Sequence, residues 1–141
     1  MARGLTIDSG AADNAMPRRL VRGKDNTIRP SPGSRAGVHY ISASANRIRN
    51  EGGTDLHFET GEGHAMKWTF QVAEVSKPLG SVAYVVDQSH RVVYVKNKAT
   101  GEDMSCMVRK PTRTVYRFRR GRNIWILDAV VDGAGLLSDF N

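Results

Sequence analysis

Residues 5–17 read LTIDSGAADNAMP, a segment that passes from apolar residues to an aspartate and then to small residues. Its apolar start has the pattern of a strand, which ends at the carboxylate of Asp8. The next residues, Ser9, Gly10 and Ala11, are small enough for another backbone or a substrate to come close to that carboxylate. The same letters also fit an ordinary turn, in which an aspartate leaving a strand bonds to its own backbone. Features elsewhere in the chain distinguish these two interpretations.

The composition predicts a single domain inside the cell. With 141 residues, of which 40% are hydrophobic, the chain can form one modest core. Cys106 has no second thiol to pair with and lies in an apolar strand, which is typical of a core thiol. No run approaches the roughly 18 apolar residues of a membrane span, and Asp8 interrupts the only apolar segment near the start. We therefore expect an intracellular, cytoplasmic protein with no membrane partner.

The net charge of +7 is concentrated in one window of the chain. Residues 109–122 contain lysine and arginine but no acid, so this window alone accounts for the net charge. Arg117, Arg119 and Arg120 are interleaved with Tyr116 and Phe118, a composition suited to following a nucleic-acid backbone. The alternative is a solvated edge strand whose charges prevent edge-to-edge aggregation. Nucleic-acid contact through residues 109–122 therefore stays open.

The remaining sequence has the pattern of many short strands. Residues 37–50 predict a hairpin with its tip at residues 43–46, and residues 54–75 predict a second hairpin around the turn TGEGH. Residues 22–37 read as a surface loop, and residues 78–90 have room for about two turns of helix. Further strands are predicted in residues 91–95, 104–108, 114–119 and 124–131. This arrangement predicts an all-β barrel or sandwich with one short helix.

The order of three motifs links Asp8 to a known family. LTIDSGA near the start, the small-residue hairpin tip, and VSKPLGSVAYVV at residues 75–86 resemble in this order the retropepsin family of aspartic proteases. The chain is similar in particular to protease segments of retrotransposon polyproteins, where DSGA precedes a hydrophobic residue and a proline, here Met16 and Pro17. The resemblance covers roughly residues 5–100. It implies a small closed barrel-like fold with a flap hairpin, a homodimer, no cofactor, and cleavage of extended peptides or polyproteins.

The resemblance implies a role for each matching position. Asp8 would be the catalytic aspartate, and Ser9 would hydrogen-bond across the dimer axis. Gly10 and Ala11 would complete the active-site loop. The loop would be supported from beneath by Leu79 and Gly80, and the flap tip would comprise Ser44, Ala45 and Asn46.

Other positions depart from the family pattern or are predicted only in outline. Ala12 stands where many members have an acidic residue that grips the substrate backbone, and Ser81 stands where retroviral members usually have arginine. The residues expected to line the substrate pocket are Asp13, Val38, Tyr40, Ile48 and Val82. No metal site is predicted, because the four histidines have no cysteine partners and no HExxH spacing.

The sequence contains one Asp-Ser-Gly motif, so a pair of catalytic carboxylates requires two chains. The expected domains are a retropepsin-like domain, residues 1–110, and a C-terminal basic β-hairpin with a frayed tail, residues 111–141, packed on it. The alternative is an inactive relic of a retroelement that binds nucleic acid, suggested by the short stretch before Asp8 and by the basic window. A module that holds a peptide as an added strand without cutting it is a further alternative.

Overall fold

The computed structural model of the protein describes residues 4–21, 27–41 and 45–131. Within these ranges the strands, numbered in chain order, are β1 Gly4–Asp8, β2 Ala15–Met16, β3 His39–Ile41, β4 Arg47–Arg49, β5 Gly53–Thr60, β6 Ala65–Val72, β7 Leu79–Ser81, β8 His90–Val93, β9 Cys106–Arg109, β10 Thr114–Arg117, β11 Arg119–Arg120 and β12 Trp125–Val130. The helical segments are a 3₁₀ turn Arg18–Leu20, α1 Pro32–Arg35 and α2 Val82–Asp87.

Six strands close into a barrel in the order β1, β7, β2, β6, β5 and β12, and β12 pairs with β1 to complete the ring. The long hairpin β5–β6 supplies one wall, because its side chains alternate between a buried and an outward face. Leu56 and Phe58 of β5 point inward with Trp68 and Phe70 of β6. The remaining core is filled by residues such as Leu127 of β12.

The strand β1, which carries Asp8 at its end, lies between β7 and β12 in the barrel. It runs parallel to β7, with Ile7 opposite Gly80 and Asp8 opposite Ser81, and antiparallel to β12 on its other side. Its residues from Gly4 to Ile7 are all buried, so the strand emerges only at Asp8. The carboxylate therefore lies where a rigid central strand reaches the surface.

Two smaller sheets flank the barrel. One has the order β10, β9, β8, and the other is the isolated two-stranded hairpin β3–β4, in which Tyr40 faces Ile48 across the strands. This hairpin was predicted from the sequence as the flap. Its tip residue Ser44 lies outside the described residues, and Ala45 beside it has a φ of 64°.

The structure confirms the predicted all-β class and the closed barrel, since strands account for 46% of residues and helices for 11%. The prediction of a single short helix was incomplete, because α1 lies inside the predicted surface loop. Ser31 and Ser34 cap this one turn reciprocally, and Pro32 occupies its first position. Four residues are too few to show helical periodicity in the sequence. Cys106, predicted to be a core thiol, is only half-buried.

Candidate functional site

The carboxylate of Asp8 is half-buried and is held by the turn that follows β1. The backbone N–H of Gly10 donates a hydrogen bond of 2.8 Å to its Oδ1 atom. A Cβ atom at position 10 would lie 3.3 Å from the same oxygen, so a glycine lets the backbone approach this closely. Ser9 and Gly10 are both exposed. The turn therefore fixes the orientation of the carboxylate and leaves its outer side accessible.

Two buried polar residues attach the loop after Asp8 to the barrel. Ser81 donates from Oγ to the carbonyl of Ala11 at 2.8 Å, and its N–H donates to Oδ1 of Asn14 at 2.8 Å. The amide of Asn14 in turn donates to the carbonyl of Thr69 at 3.0 Å. Because Ser81 and Asn14 are 0% and 1% exposed, these bonds hold the loop in a water-poor environment. Sequence reasoning missed this role of Asn14, because an asparagine that follows Asp13 in a turn-like stretch reads as an exposed polar residue.

The predicted support residues lie beside β1. Gly80 is buried opposite Ile7, and a Cβ atom there would come within 3.0 Å of Ile7 Cδ1 and 3.2 Å of the Trp68 ring. Leu79 pairs with Thr6. A small residue at position 80 thus lets β7 lie close to the strand that carries Asp8.

A groove of about 840 Å³ opens at Asp8. One part of its lining comes from the loop that contains Asp8 and Asp13, and another comes from Tyr40, Ile41 and Ile48 of the β3–β4 hairpin. Residues 74–77 and Leu79 complete the lining. The fold therefore brings the motif, the predicted flap and the segment before PLG together around one cavity of ligand-binding size.

Three of the five predicted pocket residues, Asp13, Tyr40 and Ile48, line this groove. Val82 instead packs against the barrel core from α2, and Val38 is 40% exposed just before β3. Sequence reasoning could not separate Val38 and Val82 from Ile48, because each is an aliphatic residue near a motif.

A hydrogen bond joins the hairpin to the loop of Asp8. The hydroxyl of Tyr40 donates to Oδ2 of Asp13 at 2.8 Å and accepts from Nδ2 of Asn50 at 3.1 Å. Burial and the adjacent carboxylate of Asp13 raise the pKa of Tyr40 well above its ordinary value. The hydroxyl therefore stays protonated and remains a donor throughout the neutral and acid range.

Aromatic residues border the site on the β12 side. Trp125 lies opposite Ile7, its ring centroid is 4.6 Å from that of Tyr94, and the guanidinium of Arg120 lies 4.4 Å above it. Burial and the negative charge of Asp8 raise the pKa of Tyr94. The field of Asp8 therefore reaches this aromatic group.

The arginines predicted for nucleic-acid contact lie on two sheets. Arg119 makes a bidentate ion pair with Asp128, with a shortest distance of 2.8 Å, and Arg120 pairs with Asp103 at 3.1 Å. Arg117 is exposed on β10. A phosphate backbone would have to compete with the aspartates for two of the three guanidinium groups, which weakens the electrostatic case for this surface.

No cluster of three or more metal-ligating side chains occurs in residues 4–21, 27–41 and 45–131. Over the same ranges no helix has the length and apolar composition to cross a bilayer. Comparison of the sequence with protein-family models, with curated proteins and with solved structures finds no match.

Proposed function

We propose that this chain is one half of a homodimeric, retropepsin-like aspartic endopeptidase in which Asp8 is the catalytic residue. The main support for this proposal is the position of Asp8. It emerges at the end of a buried strand, beside parallel β7, into a groove that the β3–β4 hairpin also lines. The carboxylate also makes the ordinary turn, since it accepts from the N–H of Gly10, so support for a site comes from its place in the groove and not from the turn.

The proposal requires a second copy because the chain has one Asp-Ser-Gly motif. A second Asp8 would face the first across a two-fold axis through the exposed Ser9 and Gly10. Both residues are exposed and therefore accessible to a second chain. The dyad would then share one proton, because two close carboxylates do not both ionise at low cost.

The reaction follows from that shared proton. The ionised carboxylate takes a proton from a water molecule, and the oxygen of that water attacks the peptide carbonyl carbon. The protonated carboxyl gives its proton to the carbonyl oxygen. The carboxyl that took the proton from water then gives it to the amide nitrogen, the other carboxylate takes a proton from a hydroxyl of the tetrahedral diol, and the C–N bond breaks. The products are a carboxylic acid and an amine, and the dyad again holds one proton.

The test compares peptide cleavage by the wild type and by an Asp8→Asn variant near pH 5, beside sedimentation at micromolar concentration. We expect a dimer, cleavage blocked by a statine-type transition-state mimic, and a loss of at least about 100-fold in the variant, since acid–base groups contribute this much. Asp87→Asn serves as the control, because Asp87 is an exposed aspartate at the end of α2 and its substitution makes the same change of charge. Equal cleavage by wild type and Asp8→Asn would contradict the proposal.

A further inference from the structure

The β3–β4 hairpin depends on few contacts for its position. It forms a sheet of its own and shares no strand pairing with the barrel in the described residues. An isolated two-stranded hairpin is marginally stable in water, so side-chain contacts must hold it in place. The bond from Tyr40 to Asp13 is one such contact, and it joins the hairpin directly to the loop that carries Asp8.

The hydroxyl of Tyr40 is also fixed from behind. Asn50, which follows β4 and is 2% exposed, donates from Nδ2 both to this hydroxyl and to Oε1 of Gln71 at 2.9 Å. Its Oδ1 accepts the N–H of Gly52 at 2.9 Å. Since Gln71 belongs to the barrel strand β6, Tyr40 lies at the end of a hydrogen-bonded chain that begins in the barrel wall.

The hydrogen bond between Tyr40 and Asp13, at the outer end of this series, is the weakest of them. Asp13 is exposed, so its bond with Tyr40 competes with water, whereas the bonds of Asn50 are shielded. Both Asp13 and Tyr40 line the groove together with Asp8. A ligand that enters the groove beside the hairpin would therefore meet this bond before it displaces any buried contact.

We propose that Tyr40 and Asp13 form a latch that holds the β3–β4 hairpin over Asp8, and that a peptide substrate enters by breaking it. Asn50 is the positioning residue that keeps the tyrosine hydroxyl ready to close again. The part of this proposal that concerns substrate entry rests on the proposed peptidase function. The latch itself is a property of the fold and can be measured without cleavage.

The first test uses amide hydrogen exchange of the hairpin, with the amides of β5 and β6 as an internal reference. Tyr40→Phe removes only the hydroxyl, and Asp13→Ala removes only the acceptor. We expect each substitution to speed exchange of the β3–β4 amides about tenfold. This factor corresponds to a loss of about 1.4 kcal/mol in the free energy that holds the hairpin in place. Tyr40→Phe also loses the bond from Asn50, so it should exchange at least as fast as Asp13→Ala. The double variant should exchange no faster than Tyr40→Phe, because the bond to Asp13 is already absent there.

Asp13→Asn is the matched control, since its side-chain oxygen can still accept from Tyr40. Its hairpin should exchange near the wild-type rate. Unchanged exchange in both Tyr40→Phe and Asp13→Ala would overturn the latch, and so would additive effects in the double variant. Amide exchange can be measured in a protein that cleaves nothing. The latch proposal can therefore be rejected independently of the peptidase proposal.

The second test is the kinetic signature of entry through the latch. Once cleavage is measured, Tyr40→Phe should lower KM, because no latch bond must be broken when the substrate binds. A raised KM with unchanged kcat would overturn the role in substrate entry. A purely structural role for Tyr40 would not lower KM.

Discussion

The side chain of Asp103 joins three separate parts of the chain. It accepts hydrogen bonds from the N–H of Ser105 at 2.9 Å, from Nε1 of Trp125 at 3.1 Å and from Nη1 of Arg120 at 3.1 Å. These bonds, those from Ser105 above all, lower the pKa of Asp103 to about 2. The carboxylate thereby fixes the tryptophan that borders the candidate site.

Asp103→Asn should lower the free energy of unfolding by about 1–2 kcal/mol at pH 7, since it weakens charge-assisted bonds at a side chain only 16% exposed. Because the folded pKa lies below the ordinary value of 3.8, this stability is present above that pH and is lost as the pH falls toward 2. Chemical denaturation at pH 7 and at lower pH measures it, with Asp87→Asn as control. A difference that does not shrink with acid would contradict this role.

His90, at the start of β8, is a buried imidazole packed near the ring of Tyr116. Burial lowers its pKa, and Arg109 acts in the same direction, while the backbone carbonyls of Gln88 and Val85 oppose the shift. Neither ring nitrogen makes a well-formed hydrogen bond with any described residue. The folded protein therefore disfavours protonation of this histidine.

A lowered histidine pKa makes the protein less stable in acid. The unfolded chain takes up a proton as the pH falls below the ordinary value of 6.5, whereas folded His90 stays neutral, so stability is lost below that pH. His90→Leu should reduce the slope of unfolding free energy between pH 6.5 and 5, by at most about 1.4 kcal/mol per pH unit. His57→Gln, at an exposed position, is the control. An unchanged slope in His90→Leu would contradict the assignment.

Among the strands, β7 determines how well β1 holds Asp8. Its Gly80 faces Ile7 in parallel register, and the indole of Trp68 lies close by. The family resemblance predicts a supporting role for this position. The contacts show that glycine leaves room here for the side chains of Ile7 and Trp68.

Gly80→Ala should lower the free energy of unfolding by about 1–3 kcal/mol, because the new methyl group overpacks a site where neighbours lie 3.0 and 3.2 Å away. Denaturant unfolding of the variant measures this directly. If peptide cleavage is established, it should fall as well, since the side chain of Ile7, next to Asp8, must move to make room. A variant as stable as the wild type would show that Ile7 and Trp68 make room for the methyl group at no cost.

Local patterns in the sequence predicted the strands well where alternation is long. Each strand of the β5–β6 hairpin has eight residues with one buried face, so its period was visible. The DSGA motif likewise contained the local turn around Asp8. The bond between Tyr40 and Asp13 could not be predicted, because it depends on how a separate hairpin folds back over the groove.

The barrel of the whole molecule is completed by β12, which lies near the C-terminal end of the described residues. The sequence predicts that β12 belongs to an extension beyond the expected retropepsin-like domain, yet β12 lies in the barrel between β1 and β5. No sequence pattern reveals this place, since a strand of alternating residues has the same appearance in a barrel or in a flanking hairpin. The partner of a strand is determined by packing over the full chain.

A chain of residues 1–110 should therefore fail to fold cooperatively. It would lack the buried Tyr116, Phe118, Ile126 and Leu127 and would leave the edges of β1 and β5 open. Circular dichroism and thermal unfolding test this against the complete chain. A sharp transition in the short chain would mean that residues 1–110 form an independent domain.

In the proposed enzyme two copies of Asp8 make one active site, and mixing of active and inactive chains distinguishes this arrangement from a site within one chain. Wild-type and Asp8→Asn chains are mixed in varying ratio, allowed to exchange, and assayed for peptide cleavage at constant total concentration. Cleavage should fall with the square of the wild-type fraction, because only dimers with two aspartates act; mixing with Asp87→Asn should leave it unchanged. A fall in direct proportion to the wild-type fraction, or no cleavage by the wild type at all, would contradict the shared site.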